Sequence, residues 1–193
     1  FESLIDEYND LISYNKIYVQ RLANVAVISK EVAINYNLVG PNLRGSGLQY
    51  DVRRDEPYSI YSELDFEVPV GTGEVGTLGD CFDRYIVRIK EFKESSKIVR
   101  QCLSMIPEGP VLAKVPRKLK PPVGDAHIRI EGSRGDMGWY VVSDGSEFPY
   151  RTKIRTGSFS AMGIVDKVSR GLMIADLIAL IASLDVVAPE VDR

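Results

Sequence analysis

The stretch that most constrains the fold is the C-terminus, Gly171 to Arg193, GLMIADLIALIASLDVVAPEVDR. Leu172 to Leu184 is apolar on every side except at Asp176 and Ser183. A helix that is apolar all round has no face to give to water and belongs inside a core. It is shorter than the roughly 20 apolar residues that a bilayer span requires. The character then flips. Asp185, Glu190 and Asp192 crowd the tail, and the sequence stops at Arg193 with no solubilising extension. Most chains end in frayed polar residues, so a buried helix followed at once by charge predicts a terminus that is packed and used.

The clearest single element is a helix from Asp80 to Ile106. Phe82, Tyr85, Ile86, Ile89, Phe92, Val99, Cys102, Leu103 and Ile106 form one apolar stripe at three-four spacing. Asp80 suits the N-cap, both as an acceptor and by its charge; Pro107, Gly109 and Pro110 stop the helix. Arg84, Arg88, Lys90, Lys93, Lys97 and Arg100 lie mostly outside the stripe among Asp83, Glu91 and Glu94, and read as a solvated face. Cys81 and Cys102 fall on this helix roughly 30 Å apart at about 1.5 Å per residue, too far for a disulfide. They read as reduced thiols of an intracellular protein.

The remaining segments are shorter. Phe1 to Asn15 carries Leu4, Ile5, Tyr8, Leu11 and Ile12 at amphipathic helical spacing, and Ile17 and Leu22 allow it to run on. The chain opens on Phe1 rather than Met and enters that helix directly, which reads as a fragment of something longer. Ser29 can cap a helix over Glu31–Tyr36. Arg44, Asp51, Arg53, Arg54 and Asp55 then sit in a Gly- and Pro-rich loop, either as solvated surface or as an ion-pair network at an interface. Asp65–Val70 reads as a short strand. Gly71, Gly73 and Gly76 match G-x-G-x-x-G, but that nucleotide fingerprint needs a second parallel strand ending in an acid ~20 residues on. Here the chain stays helical, so a flexible loop is the better account. Lys114–Pro122 is a basic, proline-punctuated, extended connector. Ala126–Glu131, Met137–Ser143 and Tyr150–Thr156 read as three strands around the turns GSRGD and DGSE, with one polar face and with Trp139 and Tyr140 as anchors. Ser158 starts a helix to Arg170, and Gly171 separates it from the last one. The pattern is α+β: a mostly helical lobe over residues 1–118, an antiparallel β region over 119–157, and a helical segment with its tail over 158–193.

Chemistry is sparse. There are 24 basic and 27 acidic residues, a net charge of −3, and no basic excess of the kind a general nucleic-acid binder shows. The one histidine, His127, lies in a strand with no G-x-S-x-G beside any serine, so a hydrolase triad is not supported. Three Cys and His residues in total fall short of a four-ligand zinc or iron–sulfur site, so no metal is expected on this chain. Asp185 and Glu190 form an acid pair that suits either acid–base work or a salt-bridged tail.

Four motifs nevertheless carry a resemblance. PNLRGSGLQYDVRRDEPYSIY, GDCFDRYIVRIKEFKESSKIVRQCL, PPVGDAHIRIEGSRGDMGWYVVSDGSEFPYRTKIRTGSF and ADLIALIASLDVVAPEVDR occur in family order. Together they resemble the D-subunit family of NADH-quinone oxidoreductases (respiratory complex I) and its archaeal and chloroplast relatives. The likeness runs from Glu2 to Arg193, and the short connector AKVPRKLKPP is closer to the archaeal and chloroplast branch. The resemblance implies the fold of a nickel–iron hydrogenase large subunit, with long helices and a small antiparallel sheet. It implies part of a proton-pumping enzyme that takes quinone as substrate. An iron–sulfur subunit would carry the terminal cluster, and NADH or another donor would be served by other peripheral-arm subunits. Membrane-arm subunits would anchor the assembly at the cytoplasmic face of the membrane, and no nucleic acid would take part.

The tail is the informative place. Hydrogenases end in Asp-Pro-Cys-x-x-Cys-x-x-His, and Asp185 to Arg193 lines up with that pattern. The aspartate is kept, Val187 and Glu190 replace the two cysteines, and Arg193 replaces the histidine. Without thiolates nickel and iron have nothing to hold them, and the emptied place is similar to the one where a quinone headgroup docks. The resemblance therefore makes Asp185 and Val187 wall positions of a quinone pocket, with Glu190, Asp192 and Arg193 tying the terminus into the core. Glu131, Arg134 and Asp136 match a family pattern, Glu-x-x-Arg-Gly-acid, for a turn that either faces the same cavity or is simply salt-bridged. The family's headgroup histidine and tyrosine belong to the half of the family's sequence that precedes Phe1. A scaffold that docks iron–sulfur and membrane subunits, with all chemistry elsewhere, is the competing reading.

Overall fold

The computed structural model describes residues 1–192. The chain enters through α1 (Glu2–Tyr8), a π-helical turn (Asn9–Ser13) and α2 (Lys16–Leu22). It continues through α3 (Lys30–Asn35), α4 (Gly40–Arg44) and α5 (Val52–Asp55) to the long α6 (Cys81–Met105). A sheet of β1 (Gly124–Gly132), β2 (Gly135–Ser143) and β3 (Arg151–Arg155) follows. The chain closes with α7 (Gly157–Gly163), α8 (Val165–Ser169), α9 (Ile174–Leu184) and α10 (Ala188–Val191). The protein is α+β, as its pattern predicts. Among the described residues no helix is long and apolar enough to cross a membrane.

The core lies where α6 meets α9. Phe82, Ile86 and Ile89 of α6 pack with Leu180 and Leu184 of α9 and with Ile28, Leu38, Leu43 and Ile164. Each such burial contributes about 1.5–3 kcal/mol relative to exposure. Asp80 caps α6 by accepting from the Asp83 amide at 2.9 Å. Only the first half of the α6 stripe is buried; Phe92, Val99, Leu103 and Ile106 stay exposed. The terminal helix also departs from expectation. Leu180, Ser183 and Leu184 are buried, but Ile174 and Ile178 are 83% and 67% exposed, so the helix offers one face to this chain's core and leaves the other uncovered.

Three further expectations change for local reasons. The first helix breaks at Asn15, whose side chain accepts from the Ile17 amide and starts α2 afresh. Asp65–Val70 is extended but joins no sheet; Leu64 and Phe66 instead cluster with Ile98. The glycine-rich segment is wound tightly rather than loose. The amides of Gly73 and Gly79 donate to the Asp83 carboxylate, and that of Gly71 donates to the Arg44 carbonyl.

The sheet is antiparallel in the order β1–β2–β3. Gly132 pairs with Gly135, which leaves Ser133 and Arg134 as the turn, and Glu131 pairs with Asp136. The polar face of the hairpin end turns inward, burying Asp136, while Ile128 and its register partner Trp139 are 58% and 39% exposed. Docking occurs through glycines. Gly40 and Gly135 have φ of +61° and +108°, and their backbones lie so close that a Cβ on either would overlap the other.

Candidate functional site

An α-helix ends with unsatisfied carbonyls and partial negative charge. At α9 three different elements meet that need. Arg88 of α6 donates through Nη1 to the Ser183 carbonyl at 2.8 Å. Asn42 of α4 donates to the Leu184 carbonyl at 3.0 Å, and Arg134 of the hairpin turn donates through Nε to the Asp185 carbonyl at 2.9 Å. Asp185 itself is the C-cap, in the left-handed conformation at φ +52°, which aspartate tolerates better than most side chains. Its carboxylate is 41% exposed and lies between two guanidiniums: Arg134 Nη2 is 3.3 Å from Oδ1, and Arg88 Nε is 3.9 Å from Oδ2.

Arg84 and Arg88 point inward from α6, which overturns their reading as part of a solvated face. Arg84 is fully buried. It donates to the carbonyls of Gly79 and Ala26, to Ser183 Oγ and to Cys81 Sγ. Burial pulls both guanidiniums below the usual arginine range, Arg88 to about 10; Cys81, Asp80 and Asp83 oppose the shift at Arg84, and Asp185 opposes it at Arg88. Arg88 therefore stays charged at neutral pH.

A second cluster borders the first. Arg44 is buried against Glu91 at 2.5 Å, Glu131 at 2.9 Å and Asp51 at 3.7 Å, and Arg53 clamps Asp51 at 2.6 Å. The loop charges thus form an ion-pair network. Burial would raise the Asp51 carboxyl, but the Arg53 fork and Arg44 hold it below the usual carboxylate range. Burial pushes the Glu131 carboxyl up, and Arg44 only partly opposes this.

Asp185 and Arg88 together line two cavities. One, of about 390 Å³, is walled by Tyr18, Leu22, Cys81, Tyr85, Ala179 and Ser183. The other, of about 340 Å³, is walled by Arg44, Glu91, Phe92, Ser95, Glu131 and Ser133. Of the residues singled out in the sequence, Asp185, Arg134 and Glu131 come together here. Asp136 does not: its buried carboxylate faces away, held by Arg129 and Arg155 at 2.5 and 2.7 Å. Val187 is half-buried, its amide 3.3 Å from Ser158 Oγ, and lines neither cavity. The Glu190 carboxylate accepts from Ser158 at 2.5 Å, and its carbonyl accepts from Thr156 at 2.5 Å. Asp192 follows α10 and is exposed, and Arg193 lies outside the described residues. Among the described residues no three or more His, Cys, Asp or Glu side chains are grouped to hold a metal. Sequence reading missed Arg88, Asn42 and Ser183. The available signal was the four-residue spacing of Arg84 and Arg88, which puts both on one helix face.

Comparison with known proteins covers the whole chain. A family model described as the 49 kDa subunit of respiratory-chain NADH dehydrogenase matches residues 1–122 and 114–193. A D-subunit of NADH-quinone oxidoreductase from Anaeromyxobacter dehalogenans (strain 2CP-C) is 61% identical over 193 residues, covering 100% of this chain and 51% of the relative. The corresponding D-subunits of Sorangium cellulosum (strain So ce56) and Desulforamulus reducens are 55% and 50% identical; they are covered over 50% of their lengths, by 100% and 97% of this chain. The chain spans about half the length of the curated relatives it matches.

Proposed function

Because the chain belongs to the family of the 49 kDa subunit of respiratory-chain NADH dehydrogenase, we propose that it forms part of the quinone site of a multisubunit NADH-quinone oxidoreductase. The observation that carries this reading is the C-terminus of α9, where Asp185 separates two cavities and is flanked by Arg88 and Arg134. A quinone carbonyl gains negative charge as it is reduced, and guanidiniums fixed in a cavity partly enclosed by protein stabilise such charge more than water does. Asp185, a carboxylate between the two guanidiniums, orients the headgroup or tunes proton supply through its charge. Val187 adds apolar surface two residues beyond Asp185, outside the two cavities themselves, and Glu190 holds the tail through Ser158.

The hydrogenase-like architecture belongs to the same proposal. Val187 offers no ligand where that tail carries a thiolate, and the Glu190 carboxylate is engaged by Ser158. This donor set does not fit a nickel–iron centre. Electrons from NADH or a related donor then arrive through an iron–sulfur cluster held by a partner subunit. Further peripheral-arm and membrane-arm subunits complete a proton-pumping complex on the cytoplasmic face of the membrane.

Steady-state quinone titration of the intact complex tests this. Asp185→Asn should assemble normally and reduce quinone about ten-fold more slowly, and Val187→Met should change quinone affinity or inhibitor sensitivity. Wild-type turnover and unchanged inhibitor titrations in both assembled variants would leave the segment a scaffold. The exposed apolar faces of α1, α6 and α9 favour that second reading.

A further inference from the structure

Arg88 Nε is a buried donor without a hydrogen-bond partner, and no other buried side-chain nitrogen or oxygen among the described residues is left so. The other two guanidinium nitrogens are both engaged. Nη1 donates to the carbonyls of Arg84 and Ser183, and Nη2 donates to Asn42 Oδ1 at 3.0 Å. Arg88 is thus tied to α6, α9 and α4 at once, and its plane cannot turn without breaking one of these bonds. Its free Nε faces Asp185 Oδ2 at 3.9 Å, beyond hydrogen-bonding range. Buried donors are costly to leave unmatched, and native folds keep few of them.

We infer that Arg88 is a positioning residue for Asp185, a fixed cation that holds its carboxylate at the junction of the two cavities. The inference rests on the proposed quinone site and adds a residue to it. Arg134 takes the other oxygen of Asp185 from the hairpin turn, so the carboxylate is gripped from two elements and its orientation is set by both. The two grips differ. Arg134 reaches Asp185 from a turn, whereas Arg88 reaches it from within α6 and is tied to α4 and α9 as well. The acidic groups bordering this place are Glu91 and Glu131, both already bound to Arg44, and Glu190, which lies 3.9 Å from Arg134. None of them competes for the Arg88 Nε.

The test is a double-mutant cycle in the intact, assembled complex, reading kcat and KM for quinone together with assembly on native gels. Arg88→Gln should lower kcat/KM about ten-fold, the scale expected when a reacting group is slightly misplaced. Arg88→Lys should recover part of the loss, because it keeps the charge but not the planar fork. In the Asp185→Asn background, Arg88→Gln should cost less than about two-fold more, because its effect passes through Asp185. Equal losses in both backgrounds would overturn the inference while leaving the quinone site standing. So would an assembled Arg88→Gln complex with wild-type kinetics. If Arg88→Gln fails to assemble, the same cycle run with Arg88→Lys decides in the same way. Wild-type turnover in Asp185→Asn alone is the separate result that removes the quinone reading itself.

Discussion

Asp51 shows how much one buried carboxylate can carry. It is sealed from solvent, caps α5 by accepting from the Arg53 amide, and pairs with both Arg44 and Arg53. Removing its charge leaves Arg53 without that partner, so Asp51→Asn should cost about 2–3 kcal/mol at neutral pH in urea unfolding. The pH dependence has a definite sign. The folded-state pKa is depressed, so the stabilisation is complete above the unfolded value of about 3.9 and is lost as pH falls through the folded one. Unfolding midpoints measured from pH 6 downward should fall more steeply for the wild type than for Asp51→Asn in the range below about pH 4. Parallel curves would remove Asp51 from the acid response. A count of charges in the loop from Arg44 to Asp55 leaves solvated surface and buried network equally open, and only the approach of Glu91 and Glu131 decides between them.

Elements here are joined by close backbone contact as much as by side chains. The hairpin meets α4 where Gly40 and Gly135 touch, and both hold positive φ. Gly135→Ala would add a Cβ in a strained backbone region and against the Gly40 backbone, costing more than about 2 kcal/mol. It should also displace Arg134 from Asp185, so a thermal melt shifted downward should accompany weaker quinone binding in the intact complex. An unshifted melt would mean that the hairpin docks elsewhere. Secondary structure was largely legible from pattern: α6 with its Asp80 cap, the three strands and the α9 span all stand close to where periodicity puts them. The breaks were less so. A helical pattern over residues 1–15 does not reveal that Asn15 will cap a new helix, because asparagine caps and helix-interior asparagines look alike until the backbone is known.

At the scale of the molecule, the chain exposes a large apolar area. Leu4, Leu11 and Ile17 near the start, Val99 and Leu103 on α6, and Ile174 and Ile178 on α9 all face outward. Apolar patches of this extent mark interfaces or association. The purified 193-residue chain should therefore self-associate. Ile178→Lys should reduce this by analytical ultracentrifugation while changing unfolding stability by no more than about 0.5 kcal/mol, as expected for a surface position. A larger loss of stability would show that Ile178 is packed in the isolated chain.

Periodicity and capping chemistry in the sequence alone were enough for the α+β class, the long helix from Asp80, the antiparallel hairpin and the apolar last helix ending at Asp185. These are local properties, set by side-chain spacing and by the hydrogen-bonding needs of a few backbone groups. The motifs also pointed to the family and to Asp185 and Val187 as candidate pocket positions, with Glu131, Arg134 and Asp136 of the hairpin beside them. Tertiary structure decided what those residues meet. Arg84 and Arg88 read as solvent-facing cations because arginine is usually exposed, yet the C-terminus of α9 presents three carbonyls that side chains of this chain bond. Arg88, Asn42 and Arg134, separated by as many as 92 positions in the chain, converge on them. No pattern in the sequence encodes a convergence of that range, because it depends on how α4, α6 and the hairpin pack around one helix end.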